Sequence, residues 1–354
     1  MNSLYSLRFF AAALVYLHHL YYPYGFGAIC VTFFFVMSGF TMAYSLDKRE
    51  FAINKNSLLK FYLNKIIKIY PLYVLTFFAS IPIMNFLKAK FNLFNVVINL
   101  SMLQSYYPNK SEVFLFNGLS WFAADIVFFY LVTPFIYVLI KKIQNNRKIL
   151  FLLLLFIFLF AFFVSYQFSW KVEAYSIGWW FIYISPFFRI VDYLVGFICG
   201  IIFINIKLKT KKLSFIYSLF EILAILFLII SYKSKFLLID SLRYGVFYLP
   251  SLALLIFIFA FGRGIISKAI SNKLFVYLGK LSFVTYMVHQ IIIYYTSMYL
   301  GNTMFYSENM SLNNYLAQVF LFFIILCIGD VINRYFVPFI NNNITKGKKY
   351  EYKN

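Results

Sequence analysis

Residues 3–23 read SLYSLRFFAAALVYLHHLYYP, an apolar run that carries Arg8, His18 and His19 inside it. A hydrocarbon core of about 30 Å is crossed by about 20 helical residues. Ionisable side chains are expensive at that depth, so each one within such a run marks a functional-site candidate. Similar runs recur at residues 26–46, 66–87, 118–140, 149–168, 187–206, 213–232, 244–262, 278–300 and 315–338. The expectation is an all-α integral membrane protein, a bundle of about ten transmembrane helices with no sizeable soluble domain. The membrane domain covers 1–340, and a short basic tail covers 341–354. Composition agrees: the 354 residues are 63% hydrophobic and 12% charged, with a mean hydropathy of +0.81, whereas soluble domains have about 25% charged residues.

The net charge of +21 comes from basic residues scattered over short loops, with no single face or stripe for nucleic acid to bind. Positive-inside orientation accounts for them. With the N-terminus cytoplasmic, twenty-one lysines and arginines fall on cytoplasmic connections and the tail, and seven on the opposite side. Both termini are therefore expected in the cytoplasm. This count requires residues 92–107, NLFNVVINLSMLQSYY, to be re-entrant or interfacial, because a crossing there would invert every later loop. The segment is also shorter than the roughly 17 residues a crossing needs. The first run lacks a basic leader region and a second run follows closely, so it reads as a retained helix. Cys30, Cys199 and Cys327 all fall in apolar segments and read as packing residues. No internal repeat of the kind found in many transporters is visible. The richness in Lys, Asn, Ile, Phe and Tyr fits an AT-rich genome and a bacterial cytoplasmic (inner) membrane.

Polar groups in or beside the spans are the candidates for chemistry. Arg8 and His19 are eleven residues apart, which leaves them about 20° apart on one helix face and about 16 Å apart along it. His18 points about 100° away, where a buried histidine bonded to a neighbouring helix is the simpler reading. Ser38-Gly39 in VTFFFVMSGFTMAYS permits close helix approach. Lys65 and Lys68 in FYLNKIIKIYPLY are either interfacial anchors or a docking point for an anionic group such as a phosphate. Asp125 in LSWFAADIVFFYLVTP needs a cationic partner. Arg189 and Asp192 pair at a spacing of three, as a structural or a functional pair. Ser282, Tyr286 and His289 fall in LGKLSFVTYMVHQIII, and Asp330 with Arg334 reads as structural. Trp121, Trp170, Trp179 and Trp180 fall near the outer rim; they suit stacking on sugar rings, with an aromatic belt as the simpler reading.

Taken in order, LRFFAAALVYLHHL, GAICVTFFFVMSGFTMAYS, FYLNKIIKIYPLY, LSWFAADIVFFYLVTP, SPFFRIVDYLVGFICG and LGKLSFVTYMVHQ resemble the successive signatures of the membrane-bound acyltransferase family 3, over nearly the whole chain. That resemblance implies ten spans and transfer of acyl groups, usually acetyl from acetyl-CoA, to hydroxyls of cell-envelope glycans. It also implies roles for Arg8 and His19 (an arginine, ten residues, then a histidine), for Ser38, Gly39 and Phe40, for Arg189 and Asp192, and for Tyr286 and His289. Two departures stand out. Lys65 and Lys68 replace the usual arginines and lose the bidentate fork. The family's glutamate after the tryptophan falls on Ile126, with Asp125 one position earlier. Some members carry a further hydrolase-like domain, whereas about sixteen residues follow the last span here.

The expected chemistry places acetyl-CoA at Arg8, Lys65, Lys68 and Ser38, and a glycan or lipid-linked saccharide acceptor toward the opposite side. His19 is the candidate general base. Arg189 is the candidate oxyanion donor, with Asp192 and Asp125 beside it, and Tyr286, His289 and Trp121 support the substrate. A histidine carrying the acyl group covalently is an alternative route. Neither a metal nor a nucleic-acid partner is called for. The rival function is a transporter or flippase of a lipid-linked glycan, its path lined by the same groups.

Overall fold

The computed structural model of the chain describes residues 1–20, 25–47, 51, 54–168, 175–207, 214–301 and 312–340. Trp170 and the tail over 341–354 lie outside the described residues. With no water in hydrocarbon to satisfy backbone polar groups, a chain this apolar must form helices or a closed barrel. The described residues contain helices and no strand. They are α1 (Asn2–Leu20), α2 (Phe26–Asp47), α3 (Lys55–Phe86), α4 (Leu93–Leu100), α5 (Ser120–Ile143), α6 (Arg147–Gln167), α7 (Pro186–Lys207), α8 (Ser214–Lys233), α9 (Leu249–Phe261), α10 (Lys273–Leu300) and α11 (Leu312–Val331). Asparagines Asn54, Asn92, Asn146 and Asn272 cap the N-termini of α3, α4, α6 and α10 by accepting backbone N–H bonds. Gly262, at φ +63°, closes α9 in the left-handed conformation that glycine adopts without penalty.

Among the described residues, eight helices are long and apolar enough to cross a membrane. α1, its apolarity diluted by Arg8, His18 and His19, and the shorter Val246–Phe261 segment containing α9 pack among them, matching the ten spans read from sequence. The most buried is α2, at 78% of its apolar window, and the least is α6, at 17%. α2 therefore forms the centre and α6 the lipid-facing rim.

Small residues fix which helices touch. α2 and α7 meet along a seam where a Cβ on Gly39 would collide with the Tyr193 carbonyl, one on Gly196 with that of Val36, and one on Gly200 with Phe40 and Ala43. Such seams let backbones approach closely in a bilayer, where packing drives helix association. Residue numbers rise together from Val36–Gly196 to Ala43–Gly200, so the two helices run parallel. α1 and α10 also run parallel: Gly279 abuts Tyr5, and His289 abuts Tyr16 and His19. A crossing at 92–107 would have made both pairs antiparallel. Instead α4 folds back along α3, with Tyr73 Oη donating to the Asn99 carbonyl at 2.6 Å and Tyr70 Oη to that of Leu100 at 3.1 Å. The following turn inserts Gln104 and Ser105, both at 0% exposure, where Gln104 donates to Ser120 and the Trp180 indole donates to the Ser105 carbonyl.

At the end of the bundle that holds the N-terminus, the buried Glu221 carboxylate of α8 caps the short helix Ile265–Ile270. It accepts from the backbone N–H groups of Gly264, Ile266 and Ser267 at 3.0–3.2 Å. Removing it strands three donors, so Glu221→Ala is expected to cost about 3 kcal/mol of stability, read as a lower melting temperature in nanodiscs. Glu221→Gln keeps one acceptor oxygen and loses less. An unchanged melting temperature for the alanine variant would show that the cap carries no stability.

Candidate active site

Four helices of the centre and α3 at its side converge on a cavity of ≈ 210 Å³. One part of its wall is polar: Arg8 from α1, Ser38 and Thr41 from α2, Lys68 from α3, Tyr130 from α5, and Ser282 and Tyr286 from α10. The remainder is apolar, with Phe34, Met37, Ile69, Phe122, Ile126 and Phe283. Tyr286 is held by ring contacts to Phe122 at 4.9 Å and Phe34 at 6.0 Å. Two cations, five hydroxyls and an apolar floor suit an elongated ligand with an anionic head and a thin body. Arg8, Ser38, Lys68 and Tyr286, singled out separately from sequence, thus line one space. Lys65 lies just outside it, its ammonium 5.0 Å from the centre of the Tyr130 ring and 5.5 Å from that of Phe61.

Sequence reasoning missed Tyr130. It shares the cavity wall with Arg8 and Ser38, two of the expected site residues. The missed signal was periodic: Phe122, Ile126 and Tyr130 recur every four residues on one face of α5, and all three line the cavity. Asp125 sits one position off that stripe. It is fully buried, with the Ser105 hydroxyl, Arg189 and Asp192 as its polar neighbours. Ile126, where the family resemblance places a glutamate, is the residue that faces the cavity.

From the cavity a polar face of α10 leads deeper: Ser282, Tyr286 and His289, at intervals of four and three, lie on one side of the helix. His289 has 0% exposure, and its Nδ1–H donates to the Thr285 carbonyl at 3.2 Å. That tautomer leaves Nε2 as a lone-pair acceptor without a protein partner. The His289 ring is 5.2 Å from that of His19 and 6.0 Å from that of Tyr286. His18 stacks edge-on against His19 at 5.3 Å and fills the space opposite Gly27, where a Cβ would sit 2.7 Å from its ring. This placement agrees with a packing role for His18.

Arg189 and Asp192 form a separate centre. The guanidinium, 1% exposed, donates to the Tyr244 carbonyl (Nη1, 2.9 Å) and to Thr32 Oγ1 (Nη2, 2.9 Å), and pairs with Asp192 at 2.7 Å. It also lies over the Phe35 ring at 5.1 Å, and Gly245 leaves it the room a side chain would fill. Arg189, Asp192, Asp125 and Trp121 are not among the residues lining the cavity. Trp121 and Trp179 differ from a lipid-facing belt: they are 3% and 7% exposed.

A family model described as an acyltransferase domain matches residues 1–334 of this chain. The chain belongs to the acyltransferase 3 family. The chain is also similar to acyltransferase MdmB of Streptomyces mycarofaciens, at 31% identity over 167 residues, which are 42% of this chain. The match spans 42% of that protein's length. No solved structure matches the chain. The chain thus combines an acyltransferase-family match with helices long and apolar enough to cross a membrane and a cavity lined by two cations.

Proposed function

We propose that the protein moves an acetyl group from acetyl-CoA, bound from the cytoplasm, to a hydroxyl of a cell-envelope or lipid-linked glycan that approaches from the other side of a bacterial inner membrane. The observation that carries this reading is the space lined by both Arg8 and Lys68, with the polar face of α10 running from it to His289 beside His19. The positive-inside count supports a cytoplasmic position for the Arg8 end and both termini, the side on which the coenzyme is made. Arg8 and Lys68 hold its phosphates, with Lys65 nearby, and the apolar wall carries the pantetheine arm.

His19 takes the proton of the acceptor hydroxyl as that oxygen attacks the thioester carbonyl, and the departing thiolate carries the coenzyme away. His289, fixed through Thr285, lies beside the His19 ring, with the ring centres 5.2 Å apart. Two of the three guanidinium nitrogens of Arg189 are committed to Tyr244, Thr32 and Asp192. The hydroxyls that line the cavity, Tyr286 and Ser282, therefore face the developing oxyanion, and Arg189 holds the frame around it.

Purified full chain in nanodiscs should bind coenzyme A and release free thiol from acetyl-CoA when acceptor is present. Lys68→Met should weaken coenzyme A binding about tenfold, the lower end for a charge-assisted contact because the lysine is partly solvated. Lys68→Arg should retain affinity. Movement of a glycan without thioester consumption would replace this reading with transport.

A further inference from the structure

At the end of the bundle opposite Arg8 and Lys68, four aromatic rings pack into one cluster that the cavity does not include. The Tyr183 ring centre is 5.4 Å from that of Trp121, 5.3 Å from that of Trp179 and 5.3 Å from that of Tyr244. Trp179 meets Tyr244 edge-on at 6.3 Å. Tryptophans anchoring a membrane protein stand at the lipid-facing perimeter, whereas Trp121 and Trp179 are buried and the partly exposed edge of the cluster is formed by Tyr183 and Tyr244.

Two buried polar side chains are tied to the residues that carry these rings. Asp125 is one turn beyond Trp121 on the same face of α5, fully buried, with the Ser105 hydroxyl and Arg189 as neighbours. Arg189 donates to the Tyr244 carbonyl, yet its Nε–H is buried and unused. A buried carboxylate and a guanidinium N–H without a protein acceptor, beside a ring cluster, suit a ligand with its own donors and acceptors. A ligand with one apolar face for the rings and hydroxyls along its edge for Asp125 and Arg189 is a pyranose.

We infer that Trp121, Trp179, Tyr183 and Tyr244, with Asp125 and Arg189, form a saccharide-ring subsite that holds the acceptor. The inference rests on the acyl-transfer reading above and names how that site recognises its second substrate. The ring stacks by its axial C–H face, Asp125 accepts from its hydroxyls, and Arg189 Nε donates to one of them.

The test is saturation-transfer NMR on the full chain in phospholipid nanodiscs, since a maltoside detergent would itself present sugar rings. The probes are methyl β-D-glucopyranoside and methyl β-D-galactopyranoside, with cyclohexanol as the apolar comparison. Transfer should reach at least one glycoside, concentrated on its axial ring protons, and exceed that to cyclohexanol. Trp179→Leu should lower it at least fivefold, Trp179→Phe should keep half or more, and the isosteric Asp125→Asn should lower it. Coenzyme A binding on the same samples shows that each variant is folded. Equal transfer to cyclohexanol, no transfer to either glycoside, or an undiminished signal in folded Trp179→Leu and Asp125→Asn would overturn the subsite. Loss of coenzyme A binding by the wild-type chain would instead overturn the acyl-transfer reading.

Discussion

Replacing His19 by alanine is expected to lower acyl transfer by about 10²–10⁴-fold, the usual contribution of a positioned general base. Protein level in the membrane and coenzyme A affinity should stay close to wild type. The imidazole is the titratable group that joins the His289 ring at 5.2 Å and shares a helix face with Arg8. His18 offers the contrast on the same turn, since its ring packs opposite Gly27. His18→Gln should therefore cost little transfer while His19→Gln costs nearly as much as alanine. A His19→Ala protein that transfers acyl groups at the wild-type rate would remove the residue from the mechanism.

The second large effect is on the frame. Arg189→Met leaves Asp192 as an uncompensated charge at 2% exposure and should cost roughly 3–5 kcal/mol, measured as loss of folded protein on heating in nanodiscs. Arg189→Met combined with Asp192→Leu removes both charges, and most of that stability should return, because an apolar pair of similar volume often replaces a buried ion pair without penalty. The double variant then separates stability from chemistry. It should keep its turnover number and show a raised KM for the acceptor, because Arg189 Nε is assigned to the acceptor ring. A stable double variant with a collapsed turnover number and an unchanged KM would return the oxyanion to Arg189.

Much of the architecture was legible because hydrocarbon imposes a simple rule on sequence. Apolar length gave the crossings, and the lysine and arginine asymmetry identified 92–107 as the segment that turns back, which the tyrosine bonds from α3 to α4 bear out. The basic end of the cavity was legible too, because Arg8, Ser38, Lys68 and Tyr286 are all polar groups in apolar surroundings. What escaped was long-range or one residue fine. Thr32 and the Tyr244 carbonyl, 157 and 55 residues from Arg189, leave no local trace of their bonds to it. Asp125 and Ile126 differ by about 100° around α5, and that rotation decides which side chain meets the cavity. Tyr130 looked like one more ring among many, since a tyrosine inside a chain that is 23% aromatic carries little information by itself.

The glycine seam between α2 and α7 bears on how two substrates on opposite sides of a membrane can meet. Carriers that work by alternating access rock one helical bundle against another. Here Gly39, Gly196 and Gly200 press backbone against backbone, and a one-residue slip would drive a side chain into a carbonyl. The middle of the protein is thus a rigid spine that cannot ratchet. On the acyl-transfer reading proposed above, donor and acceptor each travel inward to a meeting place beside that spine.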